Sequence, residues 1–227
     1  MDRGASGGPG EPLDEHRLGL KPITGKQWAP RGKRPIVRVQ HRYEWLYLYA
    51  FACPESGASQ YWLVPEVNVT AFQLVLDAFA RSVGVGPDKY VDKYVLLVLD
   101  GAGWHTSGTL SVPEGLELVF LPPNSPELQP AERLWALTDV ALKNKHFAFL
   151  SDLHATLAAT CQTLERCPDQ VRAHTLFHWW PRLSLSRNYS ESVSDSTQVG
   201  PCCLRCEGGD AISAAGRGWA FESRPCP

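Results

Sequence analysis

Two carboxylates in this sequence stand in settings that suit them to chemistry. Asp100 closes an unbroken apolar run, Tyr94-Val95-Leu96-Leu97-Val98-Leu99, and Gly101 follows at once. A run this short and this rich in branched side chains reads as a strand buried on both faces, which puts the acid at the carboxyl end of a central strand. Glu132 comes after a second apolar run, Leu116 to Leu121, then Pro122-Pro123, then Pro130. Proline suits the first position of a helix, where its missing N–H would have had no intrahelical partner. Glu132 therefore falls in a first helical turn. Ala131, Leu134, Trp135, Ala141 and Leu142 form one apolar stripe, and Glu132 borders it, able to lean toward Asp100. Each acid also has a structural reading, since Asp before Gly can start a turn and an acid in a first turn is favoured by the helix dipole.

The elements that must position these acids can be read in chain order. The chain has 227 residues, 44% of them hydrophobic, enough to bury the core of one globular domain. Its longest apolar run is far short of the roughly 20 residues that span a bilayer, and nothing near the start resembles a secretory signal. No membrane partner is expected, and a cytoplasmic location is. Seven cysteines without a regular framework agree with a reducing compartment.

Residues 1–13 are dominated by glycine, proline and small residues and read as a flexible leader. The formal net charge of −2 hides a basic stretch: Lys21 to Arg42 carries seven lysines and arginines and no acid. Within it Lys26, Arg31, Lys33 and Arg34 surround Trp28, a cationic loop with one aromatic plane that suits phosphates and exposed bases. A solvated charged loop is the plainer alternative. Strands are expected over Ile36–Gln40, Trp45–Ala52 and Tyr61–Val64, then a helix capped by Thr70 that runs to about Ser82 and closes at Gly84 and Gly86. A last helix is expected over about Ser151 to Arg166. From residue 183 the periodicity disappears, and 183–227 reads as a mostly disordered tail. Cys203-x-x-Cys206, with Cys202 and Cys226 nearby, has the spacing of half a zinc site but no second half, which favours free thiols.

Three blocks recur in a known order. Asp14-Glu15-His16-Arg17-Leu18-Gly19-Leu20 with Lys26-Gln27-Trp28-Ala29-Pro30-Arg31-Gly32, then Val98-Leu99-Asp100-Gly101-Ala102-Gly103-Trp104-His105, then Leu121-Pro122-Pro123-Asn124-Ser125-Pro126-Glu127-Leu128-Gln129-Pro130-Ala131-Glu132-Arg133-Leu134-Trp135 closely resemble the catalytic domain of mariner-type bacterial insertion-sequence transposases, which are DDE superfamily endonucleases. The resemblance runs from about Asp14 to Pro181, including Phe177-His178-Trp179-Trp180-Pro181. It implies an α/β, ribonuclease-H-like fold over residues 14–182: a mixed sheet flanked by helices.

The same resemblance implies that Asp14, Asp100 and Glu132 are three catalytic, metal-binding acids holding two Mg2+ or Mn2+ ions. Two such ions, about 3.5 to 4 Å apart, stabilise the attacking and leaving oxygens of an in-line displacement at phosphorus. DNA, as element ends and as target, is the implied partner, with a homodimer assembled on it. Glu15 points to the opposite face from Asp14 if both lie on a strand, and is not expected to be a ligand. His105 is a possible auxiliary that either approaches the phosphate or caps its loop. The chain departs from the pattern before Asp14, where glycine and proline are poor material for a central strand, and 13 residues leave no room for the family's helix-turn-helix region. A companion helix-turn-helix polypeptide from an upstream frame is therefore expected. Two other readings stay open: an inactive, truncated or frameshifted remnant that at most binds DNA, and a non-mobile ribonuclease-H-like nuclease.

Overall fold

The computed structural model describes residues 10–36, 42–86 and 94–180. Its elements are β1 (Gly10–Gly19), β2 (Trp45–Ala52), β3 (Ser59–Val64), α1 (Val69–Val83), β4 (Val95–Leu99), β5 (Leu116–Phe120), two single 3-10 turns (Pro126–Leu128 and Pro130–Arg133), α2 (Leu134–Val140), α3 (Leu150–Glu165) and α4 (Pro168–Thr175). The five strands form one sheet in the order β3-β2-β1-β4-β5. The first three run antiparallel to their neighbours, whereas β1 with β4 and β4 with β5 are parallel.

The central strand is the element the sequence made least expected. Gly10-Glu11-Pro12-Leu13 is not leader but the beginning of β1, which carries Asp14. Proline lacks the N–H that a strand paired on both sides would donate, yet β2 pairing starts only at Leu13, so Pro12 has a neighbour on one side alone. Gly10 leaves room for the Trp180 indole, which a Cβ there would meet at 3.3 Å. Glycine and proline before Asp14 thus do not keep this stretch from forming the central strand.

Strand alternation sorts the core into two layers. On one face Leu18, Leu46, Leu48, Ala50 and Ala52 pack with Leu134 and Trp135 of α2, Leu153, Leu157, Cys161 and Leu164 of α3, and Val171 of α4. On the other, Leu13, Tyr49, Phe51, Val95, Leu97 and Leu99 meet the apolar side of α1, Phe72, Val75, Leu76 and Phe79. β2 thus contributes to both layers, whereas β4 buries Val95, Leu97 and Leu99 against α1 and leaves Leu96 and Val98 only half-buried, so the apolar run into Asp100 is fully covered on one face and not on both as its composition suggests.

Several boundaries differ from those the sequence suggests. The N-cap of α1 is Asn68, whose side chain accepts from the Ala71 N–H at 2.8 Å; Thr70 lies inside the helix. Gly84 does close it, at φ 76°. β3 begins at Ser59 rather than Tyr61. Ile36 has no regular structure, and Val37–Gln40 lie outside the described residues, as do residues 183–227 with Cys202, Cys203, Cys206 and Cys226. The helix after Glu132 stops at Val140, short of Ala141 and Leu142, because the chain turns toward Asn144 (φ 59°). The Asn144 side chain exchanges two hydrogen bonds with the backbone of Gly25, at 3.0 and 3.2 Å, tying this turn to the connection between β1 and β2. Helix α4 was not foreseen: it buries only Val171 and Thr175, too sparse a stripe to read. No helix among the described residues is long and apolar enough to cross a membrane.

Candidate active site

The parallel register of β1 and β4 brings the first two acids together. Gly10 stands against Leu96 and Pro12 against Val98; carried on by one pleat, the same register sets Asp14 opposite Asp100, on one face of the sheet. Beyond β4 the Leu121 N–H still donates to the Leu99 carbonyl at 2.9 Å, which brings the Pro122-Pro123 turn up beside Asp100. The chain then folds back through the two 3-10 turns, and Glu132 sits in the second of them, directly before α2. Asp14, Asp100 and Glu132 line one cavity of about 400 Å³, together with Gly101, Ala102, Gln129 and the Leu121–Pro126 turn. No basic side chain is among the described residues that line it.

Gln129 fastens this arrangement. Its buried side-chain amide donates to the Leu13 carbonyl at 2.7 Å and to the Val98 carbonyl at 3.4 Å. It thereby links β1 one residue before Asp14 to β4 two residues before Asp100, from a position one turn ahead of Glu132.

The electrostatics of the cavity follow from burial without a compensating cation. Burial, with added repulsion from the Glu132 and Glu15 carboxylates, raises Asp14 from 3.8 to about 7, even though a hydrogen bond from Trp135 pulls the other way. Trp135 Nε1 donates to Asp14 Oδ2 at 2.9 Å. The more exposed Asp100 has one oxygen, Oδ1, held by the Ala102 N–H at 3.1 Å and by His105 Nδ1 at 2.8 Å.

His105 is 1% exposed and does not line the cavity, so it is not poised to meet a phosphate there. Its Nε2 lies 2.6 Å from Glu15 Oε1, and its ring packs against Phe72 with centroids 4.5 Å apart. Burial disfavours the charged imidazole, but the hydrogen bond and charge of Glu15 and the charge of Asp100 outweigh it, so His105 titrates above the ordinary histidine value. Trp104 Nε1 points at the same pair, 3.3 Å from Glu15 Oε1 and 3.0 Å from His105 Nε2. With Nε2 giving its proton to Glu15, the indole N–H has the carboxylate as its acceptor. Glu15, Asp100 and His105 each place one metal-capable atom within 4.8 Å of the others. Both imidazole nitrogens face the two acids, so here the group forms a hydrogen-bonded chain.

Lys26, Trp28, Arg31, Lys33 and Arg34 are all exposed, in a stretch without helix or strand, and Trp28 is 100% exposed. None of the five lines the cavity. Sequence reasoning missed the roles of Trp135, Gln129 and Glu15. Faint signals existed, since Gln129 and Trp135 each stand three residues from Glu132 and Glu15 adjoins Asp14.

The donor set fits a hard divalent cation. Three carboxylates face one cavity with no basic side chain among its described lining residues, and Asp14 titrates high chiefly because it is buried, with the Glu132 and Glu15 charges adding to the shift. Residues 12–154 match the DDE superfamily endonuclease family. The chain is 33% identical over 136 residues to the uncharacterized protein y4pE/y4sA of Sinorhizobium fredii (strain NBRC 101917 / NGR234), a match covering 60% of this chain and 96% of that protein. Among solved structures it is similar to the Mos1 mariner paired end complex with Mn, with 18% identity and a TM-score of 0.51 over 73% of this chain and 53% of that one. It is also similar to the Mos1 mariner paired end complex with Mg, with 19% identity and a TM-score of 0.49 over 75% and 56% of the two chains. This chain thus spans about half the length of the Mos1 chains it matches. The likeness to the first concerns the fold, a mixed five-stranded sheet flanked by helices that is ribonuclease-H-like. Since the family match takes in the strands leading to Asp14 and Asp100 and the turn that carries Glu132, the chain belongs to the DDE superfamily endonucleases.

Proposed function

We propose that this chain is the catalytic subunit of a DDE-type transposase, which cleaves DNA strands and joins the freed ends to a target. The observation that carries this reading is the meeting of Asp14, Asp100 and Glu132, from three separate elements, in one cavity with no basic side chain among its described lining residues. These acids would hold Mg2+ or Mn2+, two ions at full occupancy. Such ions, when bound, stabilise the attacking and leaving oxygens of an in-line displacement at phosphorus.

The remaining work belongs to the protein. Gln129 and the β1–β4 register keep the acids at a fixed separation, while Trp135 and the Ala102 N–H each occupy one carboxylate oxygen and leave the other for the cation. Lys26, Arg31, Lys33 and Arg34 would track the phosphates, with Trp28 stacking on an exposed base. The partners in this reading are element-end and target DNA, a second copy of the chain on that DNA, and a companion helix-turn-helix polypeptide. The setting is the cytoplasm, at the nucleoid when DNA is bound.

The test is a metal-dependent reaction of a pre-cut terminal duplex bearing a 3′-hydroxyl with a plasmid, the companion polypeptide supplied. Asp100→Asn keeps the shape and removes the charge, so cleavage and joining should collapse together while DNA binding survives. Joining that persists in Asp100→Asn would overturn the mechanism. Cleavage without joining by the unaltered chain would identify a plain nuclease, and neither reaction an inactive remnant.

A further inference from the structure

We propose that Glu15 and His105 are positioning residues for Asp100, a buried relay that reserves one oxygen of its carboxylate for the protein and the other for the cavity. The inference rests on the metal-binding reading above. Asp100 has a side chain 59% exposed, and a carboxylate so open to water rotates freely unless something holds it. Two donors hold it here, and both engage the same oxygen: the Ala102 N–H at 3.1 Å and His105 Nδ1 at 2.8 Å bind Oδ1. Oδ2 is thereby turned away from them.

The imidazole can act as a stop because it cannot itself move. Its side chain is fully buried, its ring lies on Phe72, and the turn that carries it is closed by the His105 and Thr106 N–H groups donating to the Ala102 carbonyl at 2.9 and 3.1 Å. The opposite nitrogen, Nε2, is fixed at 2.6 Å by Glu15, whose side chain is only 8% exposed and also faces Trp104 Nε1. Glu15 follows Asp14 in β1, so the relay ties the strand of one acid to the carboxylate of another. A buried carboxylate–imidazole pair is a weak stabiliser of the fold, because desolvation offsets most of the attraction. Fixing the orientation of a metal-binding group is what such pairs do well, and their loss typically costs metal affinity roughly 10- to 100-fold.

The experiment measures Mn2+ binding to the full chain by electron paramagnetic resonance of the free ion, alongside DNA affinity and thermal melting without metal. Glu15→Gln is isosteric and removes the charge behind His105, along with the repulsion that Glu15 adds at Asp14, which taken alone would ease cation binding rather than weaken it; Trp104→Phe is a milder second variant that removes the indole donor. Glu15→Gln should weaken Mn2+ binding roughly 10- to 100-fold, with DNA affinity unchanged, and Trp104→Phe should weaken it less. The deciding comparison is with Asp100→Asn: Glu15→Gln should cause no further loss in that background, because the relay acts through Asp100. An equal loss in both backgrounds, or unchanged Mn2+ binding by folded Glu15→Gln, would overturn the proposal. Absence of Mn2+ binding by the unaltered chain would overturn the metal reading itself and this inference with it.

Discussion

Trp135 Nε1 donates a hydrogen bond to Asp14 Oδ2 at 2.9 Å, so the helix that follows Glu132 also holds the carboxylate of the central strand. Trp135 stands three residues after Glu132, on the same side of the chain, and one turn of structure presents both an acid and a donor to Asp14. The indole is itself fixed, stacked on His16 with centroids 4.9 Å apart, and His16 Nε2 is 3.0 Å from Asp139 Oδ1. Asp14 is therefore held in a shape suited to its charged form while its burial favours the neutral one.

Removing that donor should tip the balance toward the proton. Trp135→Phe keeps an aromatic ring beside His16 and loses the N–H, and with it the one side-chain bond that lowers the Asp14 pKa. Hydrogen bonds to charged groups contribute about 1.5–3 kcal/mol, so the Asp14 pKa should rise from about 7 by one to two units. Mn2+ affinity measured at pH 7 should fall roughly 5- to 50-fold, and the deficit should shrink to about twofold or less at pH 9, where the raised acid is at least half ionised. A deficit of the same size at both pH values would assign Trp135 to packing alone.

The same acid predicts opposite pH trends with and without metal. Its folded pKa lies above its unfolded value, so between 3.8 and about 7 the folded chain holds a proton that the unfolded chain has released. Stability without metal should therefore fall as pH rises through this interval and level off above it. A divalent cation needs the ionised carboxylate, so the stabilisation that Mn2+ confers should grow over the same interval. Glu132→Gln removes a charge that raises the Asp14 pKa, and should move the midpoint of the metal-free trend to lower pH. Melting temperatures from pH 4 to 9, with and without Mn2+, read both trends.

Gln129 gives a prediction about stability. Gln129→Leu fills similar space and leaves the Leu13 and Val98 carbonyls without their amide donor, while also removing Gln129 Oε1, itself buried without a partner, which offsets part of the loss. An unsatisfied buried polar group costs about 1–3 kcal/mol, so the unfolding free energy should fall by up to about that amount, lowering the urea midpoint with an unchanged slope. Mn2+ binding should weaken as well, since β1 and β4 lose their link next to the acids. A Gln129→Leu protein as stable as the original would show that the two strands need no such link.

How much of this could be read from residues depends on whether the information is local. Asp100 and Glu132 were legible because an apolar run and a proline mark a strand end and a helix start. The strand under Asp14 was not, because Gly10 and Pro12 follow tertiary demands: Trp180 covers the glycine, and the proline has no β2 partner. The fold class followed from the resemblance of three blocks, and Glu15 was correctly placed on the other face of β1 from Asp14 by strand alternation. What alternation could not give was its partner, since His105 comes from a loop 90 residues away. The cap of α1 slipped from Asn68 to Thr70 because both residue types cap helices and only the observed side-chain bond chooses.

The exposed basic stretch supplies the last prediction. Its root is clamped: Asn144 binds both the N–H and the carbonyl of Gly25, and its own N–H donates to the Ile23 carbonyl at 2.8 Å. Beyond that clamp Lys26, Arg31, Lys33 and Arg34 reach solvent with Trp28 fully exposed among them, a poor arrangement for a core and a good one for a backbone of phosphates. Alanine at all four basic positions should weaken binding to every DNA sequence alike, because the phosphate backbone carries no base information. The slope of log affinity against log salt should flatten by about 0.9 for each duplex phosphate that is no longer neutralised. Trp28→Ala should instead leave that slope unchanged and weaken binding to single-stranded ends more than to duplex, at about 1–3 kcal/mol per stacked base. Fluorescence anisotropy across a salt series, with duplex and frayed-end probes, separates the two effects. A salt slope unmoved by the four alanines would remove this stretch from the DNA path.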